Sequence, residues 1–117
     1  MPWKNGLCST SQIGIYPESA QFPDESFLWR VSTAKVQDGG PFSQFLGYER
    51  ILTVVQGAGL LLNGQELRPL VPLRFAGEER IEARLINGPI DDLGIIFDPK
   101  RIVADMQVHL LGPMAAG

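Results

Sequence analysis

Residues 47–64 read GYERILTVVQGAGLLLNG, and this stretch decides the fold. Ile51 to Val55 is an aliphatic, β-branched run. Gly57 and Gly59 break it, Leu60 to Leu62 resume it, and Asn63-Gly64 ends it. Asn-Gly between two apolar runs is the strongest short-range hairpin signal, because a type I′ turn needs φ > 0 at both central residues. The middle of the chain therefore reads as an antiparallel meander.

Around that centre the composition sets limits. The chain has 117 residues, one domain's worth, and can bury a core without staples. Ten basic residues against thirteen acidic ones give a net charge of -3, with no basic cluster. That balance excludes a nucleic-acid footprint. Cys8 is the only cysteine, so neither an internal disulfide nor a cysteine zinc site can be built, which suits a reducing cytoplasm. No apolar run reaches 18 residues, so no transmembrane helix and no membrane partner are expected.

Outward from the centre, short strands alternate with turn residues. The N-terminal MPWKNG is a turn. Ser9 to Tyr16 is a first strand, and PESAQFPDES (17–26) is a polar loop. Phe27 to Val36 is a strand with Phe27, Trp29 and Val31 on one face and Arg30, Ser32 and Ala34 on the other. Asp38 to Phe42 is a tight loop, and Ser43 to Tyr48 a short strand or irregular entry. Strands follow over Arg50 to Gln56, Ala58 to Asn63, Gln65 to Pro69, Val71 to Ala76, Ile81 to Ile86, Leu93 to Phe97 and Ile102 to Leu111. Asp98 to Arg101 reads as one turn, and 112–117 as a fraying tail after a single 1–111 barrel. Less than about one-tenth helix is expected, against a usual third.

Eight to ten antiparallel strands at this spacing mean an all-β barrel or sandwich. The order of signals resembles a cupin-type jelly roll. PWKNG (2–6), WRVS (29–32), GPFSQFLGYER (40–50), VVQGAG (54–59), LRFAG (73–77) and LINGPIDDL (85–93) together resemble the HutD/Ves family of bacterial cupin-like proteins. The resemblance implies a regulatory or ligand-binding protein linked to histidine utilisation. It covers the N-terminal half of two-cupin members. Leu7 and Cys8 stand where the family carries more glycine, and Gly94 where it tends to have Asn. The packing surface of the second half is expected to be replaced by another subunit.

Ordinary cupins hold a metal with several His and one Glu. This chain has one His, His109, in the last predicted strand. By resemblance, Arg50 falls at the place of the Glu ligand, and Gln44 and Leu46 near the place of an HxH pair. A guanidinium repels a cation and cannot ligate one. No metal and no cofactor are expected.

Arg50 can instead clamp a carboxylate bidentately. Its other reading is a structural arginine paired with Asp91, Asp92 or a backbone carbonyl. Arg30 assists if its face points inward, and Arg84 is a weaker third. Trp3, Lys4 and Asn5 form either a polar lid or, for Trp3, a hydrophobic plug; Lys4 and Asn5 enter by resemblance. Ser43 either donates to a ligand or shapes a turn. Asp91-Asp92 and Glu78-Glu79 read as solvated turn charges, Asn87-Gly88 as a turn, His109 as a surface residue and Cys8 as a small buried hydrophobe.

The ligand-binding set is thus Arg50, Arg30, Lys4, Asn5, Ser43 and Trp3, with no catalytic residue. The expected function is non-enzymatic binding of a small carboxylate or acylated amino acid. The alternative is a metal-free, isomerase-like enzyme working in the barrel interior. A homodimer is expected through the long, apolar C-terminal strand, whose open edge would pair with a second copy.

Overall fold

The computed structural model describes residues 8–22 and 26–109, of Cys8 and Ser9 the backbone alone. Nine strands follow in order: β1 (Cys8–Tyr16), β2 (Trp29–Val36), β3 (Gly40–Pro41), β4 (Glu49–Gln56), β5 (Leu60–Leu62), β6 (Gln65–Leu67), β7 (Leu73–Ala76), β8 (Glu82–Leu85) and β9 (Ile90–Phe97). They form a five-stranded sheet, β1-β2-β9-β4-β7, and a four-stranded sheet, β3-β8-β5-β6. Every pairing is antiparallel. The described residues contain no helix. The expected all-β barrel of the cupin type is the fold.

The hairpin at Asn63-Gly64 forms as its sequence requires. Asn63 has φ 51° and Gly64 φ 83°, and Leu62 pairs with Gln65 across the turn. Asn63 also ties the turn to β8: its side-chain Oδ1 accepts from the Glu82 N–H at 2.7 Å. Alternation then fixes inside and outside. Leu52 and Val54 of β4, Phe75 of β7 and Ile90 of β9 face Leu60, Leu62, Leu67 and Ala83 of the opposite sheet and close one core. A second cluster at one end joins Ile15, Phe27 and Ile96, with Phe22, Phe45 and Tyr48 against it. The Tyr48 hydroxyl donates to the Phe27 carbonyl at 3.0 Å and accepts from its N–H at 3.2 Å, which ties the β1–β2 connection to the entry of β4.

Ser43 to Tyr48 is the irregular entry that the sequence allowed. Three features differ from the sequence reading. Gly40–Pro41 is a short strand paired with β8, where a loop was expected. Strand β9 starts at Ile90, so Asp91 and Asp92 lie in a ladder and are not turn charges. The predicted last strand is also not one. After a turn closed by the Ile102 N–H on the Asp98 carbonyl, the described residues 102–109 carry no ladder. They run extended, with Ile102, Ala104, Met106 and Val108 half-buried and the residues between them exposed. Met106 Sδ accepts from Thr53 Oγ1, on the outer face of the five-stranded sheet. The apolar alternation that resembles a strand is that of a strap, satisfied by a surface instead of a neighbouring strand. Residues 1–7 and 110–117 lie outside the described residues, as do the expectations for them.

Strap packing has a measurable signature. Val103 is 98% exposed, whereas Met106 covers Thr53, which is 1% exposed. Met106→Ala should cost about 1–2 kcal/mol in urea unfolding, as a partial burial loss, and Val103→Ala close to zero. Equal costs for the two would contradict this seating.

Candidate functional site

The register of the five-stranded sheet places the charged residues. One row across all five strands, on the inner face, is Ile15, Arg30, Ile96, Arg50 and Phe75. The next row down is Gln12, Ser32, Gly94, Leu52 and Leu73. Below it come Thr10, Ala34, Asp92 and Val54. Two arginines therefore flank one isoleucine, two strand spacings or about 10 Å apart at Cα. Arg30 lies on the inner face, the condition the sequence reading set for it, and Leu52 and Val54 share the face of Arg50.

Arg50 is half-buried as a residue, but its guanidinium sits deep. Three rings surround it, Phe42 at 5.2 Å, Phe75 at 5.4 Å and Phe45 at 5.5 Å from the guanidinium carbon. It donates one hydrogen bond, to the Ser43 carbonyl at 3.2 Å. Among the described residues no carboxylate lies in ion-pair range of it. Burial lowers its pKa to about 10, with Asp92 opposing the fall and Arg30 adding to it. Burial disfavours the charged form, yet at about 10 the group stays cationic at neutral pH.

The cage around Arg50 rests on Gly77. Its N–H donates to the Tyr48 carbonyl and its carbonyl accepts from the Phe45 N–H, both at 2.7 Å. A Cβ here would stand 2.6 Å from the Phe45 oxygen and 2.7 Å from that of Tyr48. Only glycine lets the 43–48 segment lie this close, and that segment brings Ser43 and Phe45 to Arg50.

Arg30 stacks on the Phe22 ring at 3.8 Å, donates from Nε to Gln12 Oε1 at 2.8 Å and reaches Ser32 Oγ at 3.4 Å. Partial burial lowers its pKa. Asp92 is 6% exposed on the same inner wall. Burial raises its carboxyl to about 7; the pull of Arg50 and a backbone hydrogen bond from Ala34 oppose this, and Asp91 adds to it. The arrangement is two guanidiniums and one carboxyl that titrates near neutrality, facing an otherwise apolar interior.

The other candidates are placed as follows. Ser43 is exposed and contributes its carbonyl, not its hydroxyl, to Arg50. Arg84 is exposed on the outer side of β8 and is no part of the site. Trp3, Lys4 and Asn5 lie outside the described residues. Gly88 takes φ 81° in the expected turn, and Glu78 and Glu79 are exposed. His109 is exposed, with Nε2 3.3 Å from Gln107 Oε1. Sequence reasoning missed Asp92 and the three rings. Asp92 had one usable signal, the even positions Ile90, Asp92, Gly94 and Ile96 in phase with a buried face.

A cupin metal does not fit these residues. By the resemblance Arg50 takes the place of the Glu ligand, Gln44 Nε2 is engaged with the Glu78 carbonyl at 2.7 Å, and Leu46 is 83% exposed. Among the described residues no three His, Cys, Asp or Glu side chains gather as a metal site. No helix of the described residues is long and apolar enough to cross a membrane. The larger surface depression, about 570 Å³, is lined by Ser11, Thr33, Lys35, Val55 and Asp91 of the outward-facing set together with Ala34 and Asp92 of the inner row, so it touches Asp92 and neither arginine. A smaller one of about 180 Å³ opens between β7 and the β5–β6 hairpin, with Phe75 among its lining residues. The chemistry is in the guanidiniums, so the site is assigned by them and not by cavity size.

The chain is similar to the uncharacterized 21.2 kDa protein in the hutC 3′ region of Pseudomonas putida, 43% identical over 112 residues, 92% of this chain and 57% of that one. It is 32% identical to Protein Ves of Citrobacter koseri over 91% of this chain and 56% of that one. It thus spans about half the length of these curated relatives. HutD from Pseudomonas fluorescens SBW25 superposes with a TM-score of 0.73 at 42% identity, over 86% of this chain and 55% of that one. A cupin domain of an XRE-family transcriptional regulator from Enterobacter cloacae, 18% identical with a TM-score of 0.57, shares the fold alone. The HutD family model matches residues 1–116, and the chain, with its jelly-roll barrel and its motifs from PWKNG to LINGPIDDL, belongs to the HutD family.

Proposed function

We propose that the barrel is a non-enzymatic binding or regulatory module for a small carboxylate, an acylated amino acid among the candidates, in the setting of histidine utilisation and in the cytoplasm. One observation carries this reading. Arg30 and Arg50 share a row on the inner wall, and among the described residues neither has a carboxylate in ion-pair range. Two partly buried like charges repel, and a bound anion removes both that repulsion and part of the desolvation cost. A carboxylate matches the fork of a guanidinium bidentately, and the surrounding rings exclude water from the contact.

Asp92 favours a second reading. A carboxyl raised to about 7 is what a metal-free isomerase needs as a base. Its ionisable neighbours Asp91 and Lys35 belong to the outward-facing set of the sheet, so neither shares the inner wall with it. Binding is therefore the reading preferred over turnover.

A homodimer is proposed on changed grounds. Met106 and Val108, expected at the dimer edge, are half-covered within the chain. Strand β1 is instead a nine-residue edge of the five-stranded sheet, with Ile13 63% exposed. Such an edge invites pairing with a second copy. Light scattering should give about twice the 12.9 kDa chain mass, falling to the single mass for Ile13→Lys. A single mass at all concentrations removes the proposal.

The binding reading is tested by a thermal-shift screen of small dicarboxylates and acylated amino acids, followed by calorimetry on the best binder. Arg50→Ala should weaken that anion about 10- to 100-fold, the loss of one buried charge-assisted contact, and Arg50→Lys should restore part of it. Unchanged affinity in Arg50→Ala would make Arg50 a structural residue. Proton spectra of the bound mixture in heavy water read turnover: exchange of a ligand C–H would favour the second reading.

A further inference from the structure

We propose that Asp92 reads the far end of the ligand, so that the preferred ligand is a short carboxylate bearing a hydrogen-bond-donating cation, such as an ammonium, several atoms from the carboxylate. This rests on the binding role of Arg50 and Arg30 and adds a second anchor to it.

The register provides the geometry. Asp92 lies four residues from Ile96 along β9, about 13 Å at strand rise, on the same inner face as the arginine row. The position between them is Gly94. A Cβ built there would meet Leu52 Cδ1 at 3.4 Å, so the position faces the interior and Leu52 packs beside it. Gly94 adds no side chain of its own between the two guanidiniums and the carboxyl, and a ligand lying there would rest against Leu52. Ser32 and Gln12 share the row of Gly94 and already serve Arg30. Asp92 is the acidic side chain on this inner wall among the described residues. It feels Arg50 but stands outside ion-pair range of it.

A carboxyl held this way, apart from the cations it could pair with, suits a ligand that inserts between them. The carboxylate of such a ligand faces Arg50 and Arg30, and its ammonium faces Asp92. A plain anion gains only the first contact and is repelled by the second. The two ligand types must then respond to pH in opposite directions. The groups around Asp92 that bear on this are Arg50 from β4, Arg30 from β2, and Asp91 next to it with Lys35 opposite Asp91. The facing sheet presents Leu60, Leu62 and Ala83, while its charged residues Glu66, Glu82 and Arg84 are exposed. Both arginines and an aliphatic ammonium keep their charge between pH 6 and 8, which leaves Asp92 as the group that changes.

The test is calorimetry of two matched series against the full chain at pH 8 and pH 6: propionate, butyrate and pentanoate, and β-alanine, 4-aminobutyrate and 5-aminopentanoate. At pH 8 at least one amino member should bind about tenfold or more tightly than the plain acid of the same length. On going to pH 6 that preference should shrink while the plain acids gain. Asp92→Asn, which deletes a buried charge at constant shape, should erase the preference at both pH values. The pH comparison on the unaltered chain decides the matter if the variant fails to fold. Plain acids that bind and are lost in Arg50→Ala, with no amino preference at any length, overturn this inference and leave the binding reading standing. A preference that survives in Asp92→Asn also overturns it. Failure of both series to bind, with a dicarboxylate or acylated amino acid that binds and is lost in Arg50→Ala, overturns this inference alone; failure of that screen as well overturns both.

Discussion

The structure depends on where a guanidinium is put when its strand is buried. Strand β4 is the middle of the chain and, with β9, the middle of the larger sheet. Its inner face runs Arg50, Leu52, Val54, and the register cannot slip by one residue without turning Leu52 and Val54 to water. Arg50 is therefore carried inward by the same alternation that builds the core. The fold answers with three rings and one carbonyl, not with a carboxylate. Rings and a carbonyl hold the charge without neutralising it. Among the described residues no carboxylate pairs with this cation, and a ligand anion is the simplest way to complete the interaction.

Much of this was legible in the residues. The Asn63-Gly64 turn set the central hairpin, and the alternation from Phe27 to Val36 put Arg30, Ser32 and Ala34 on one face, the inner one. The absence of a histidine cluster, with Arg50 where a Glu ligand would stand, argued against a metal before any geometry was known. Asp92 was not legible because Gly88-Pro89 just ahead of it reads as a turn, and two adjacent acids after a turn look solvated. The ladder starts at Ile90, immediately after that turn. The cage around Arg50 was hidden for a different reason. Phe42, Phe45 and Phe75 come from two separate stretches, and their convergence rests on the close approach of Gly77 to the 43–48 segment.

The C-terminal stretch shows the limit of periodicity. Ile102, Ala104, Met106 and Val108 alternate as a strand would, since any extended segment lying on an apolar surface must bury every second residue. Alternation therefore reports one buried face and says nothing about a hydrogen-bonded neighbour. Here the surface is the outer face of the larger sheet, over Thr53. That face is partly covered, and the sheet edge β1 becomes the more exposed invitation to a partner.

The central claim is that the arginine row on the inner wall is an anion site. A crystal structure of the chain soaked with butyrate at pH 6, where the Asp92 carboxyl is mostly protonated, tests it most directly. The expected result is the butyrate carboxylate inside the barrel, with oxygens about 3 Å from the guanidinium nitrogens of both Arg50 and Arg30. Butyrate bound only outside the barrel, with Arg50 still on the Ser43 carbonyl alone, would contradict it.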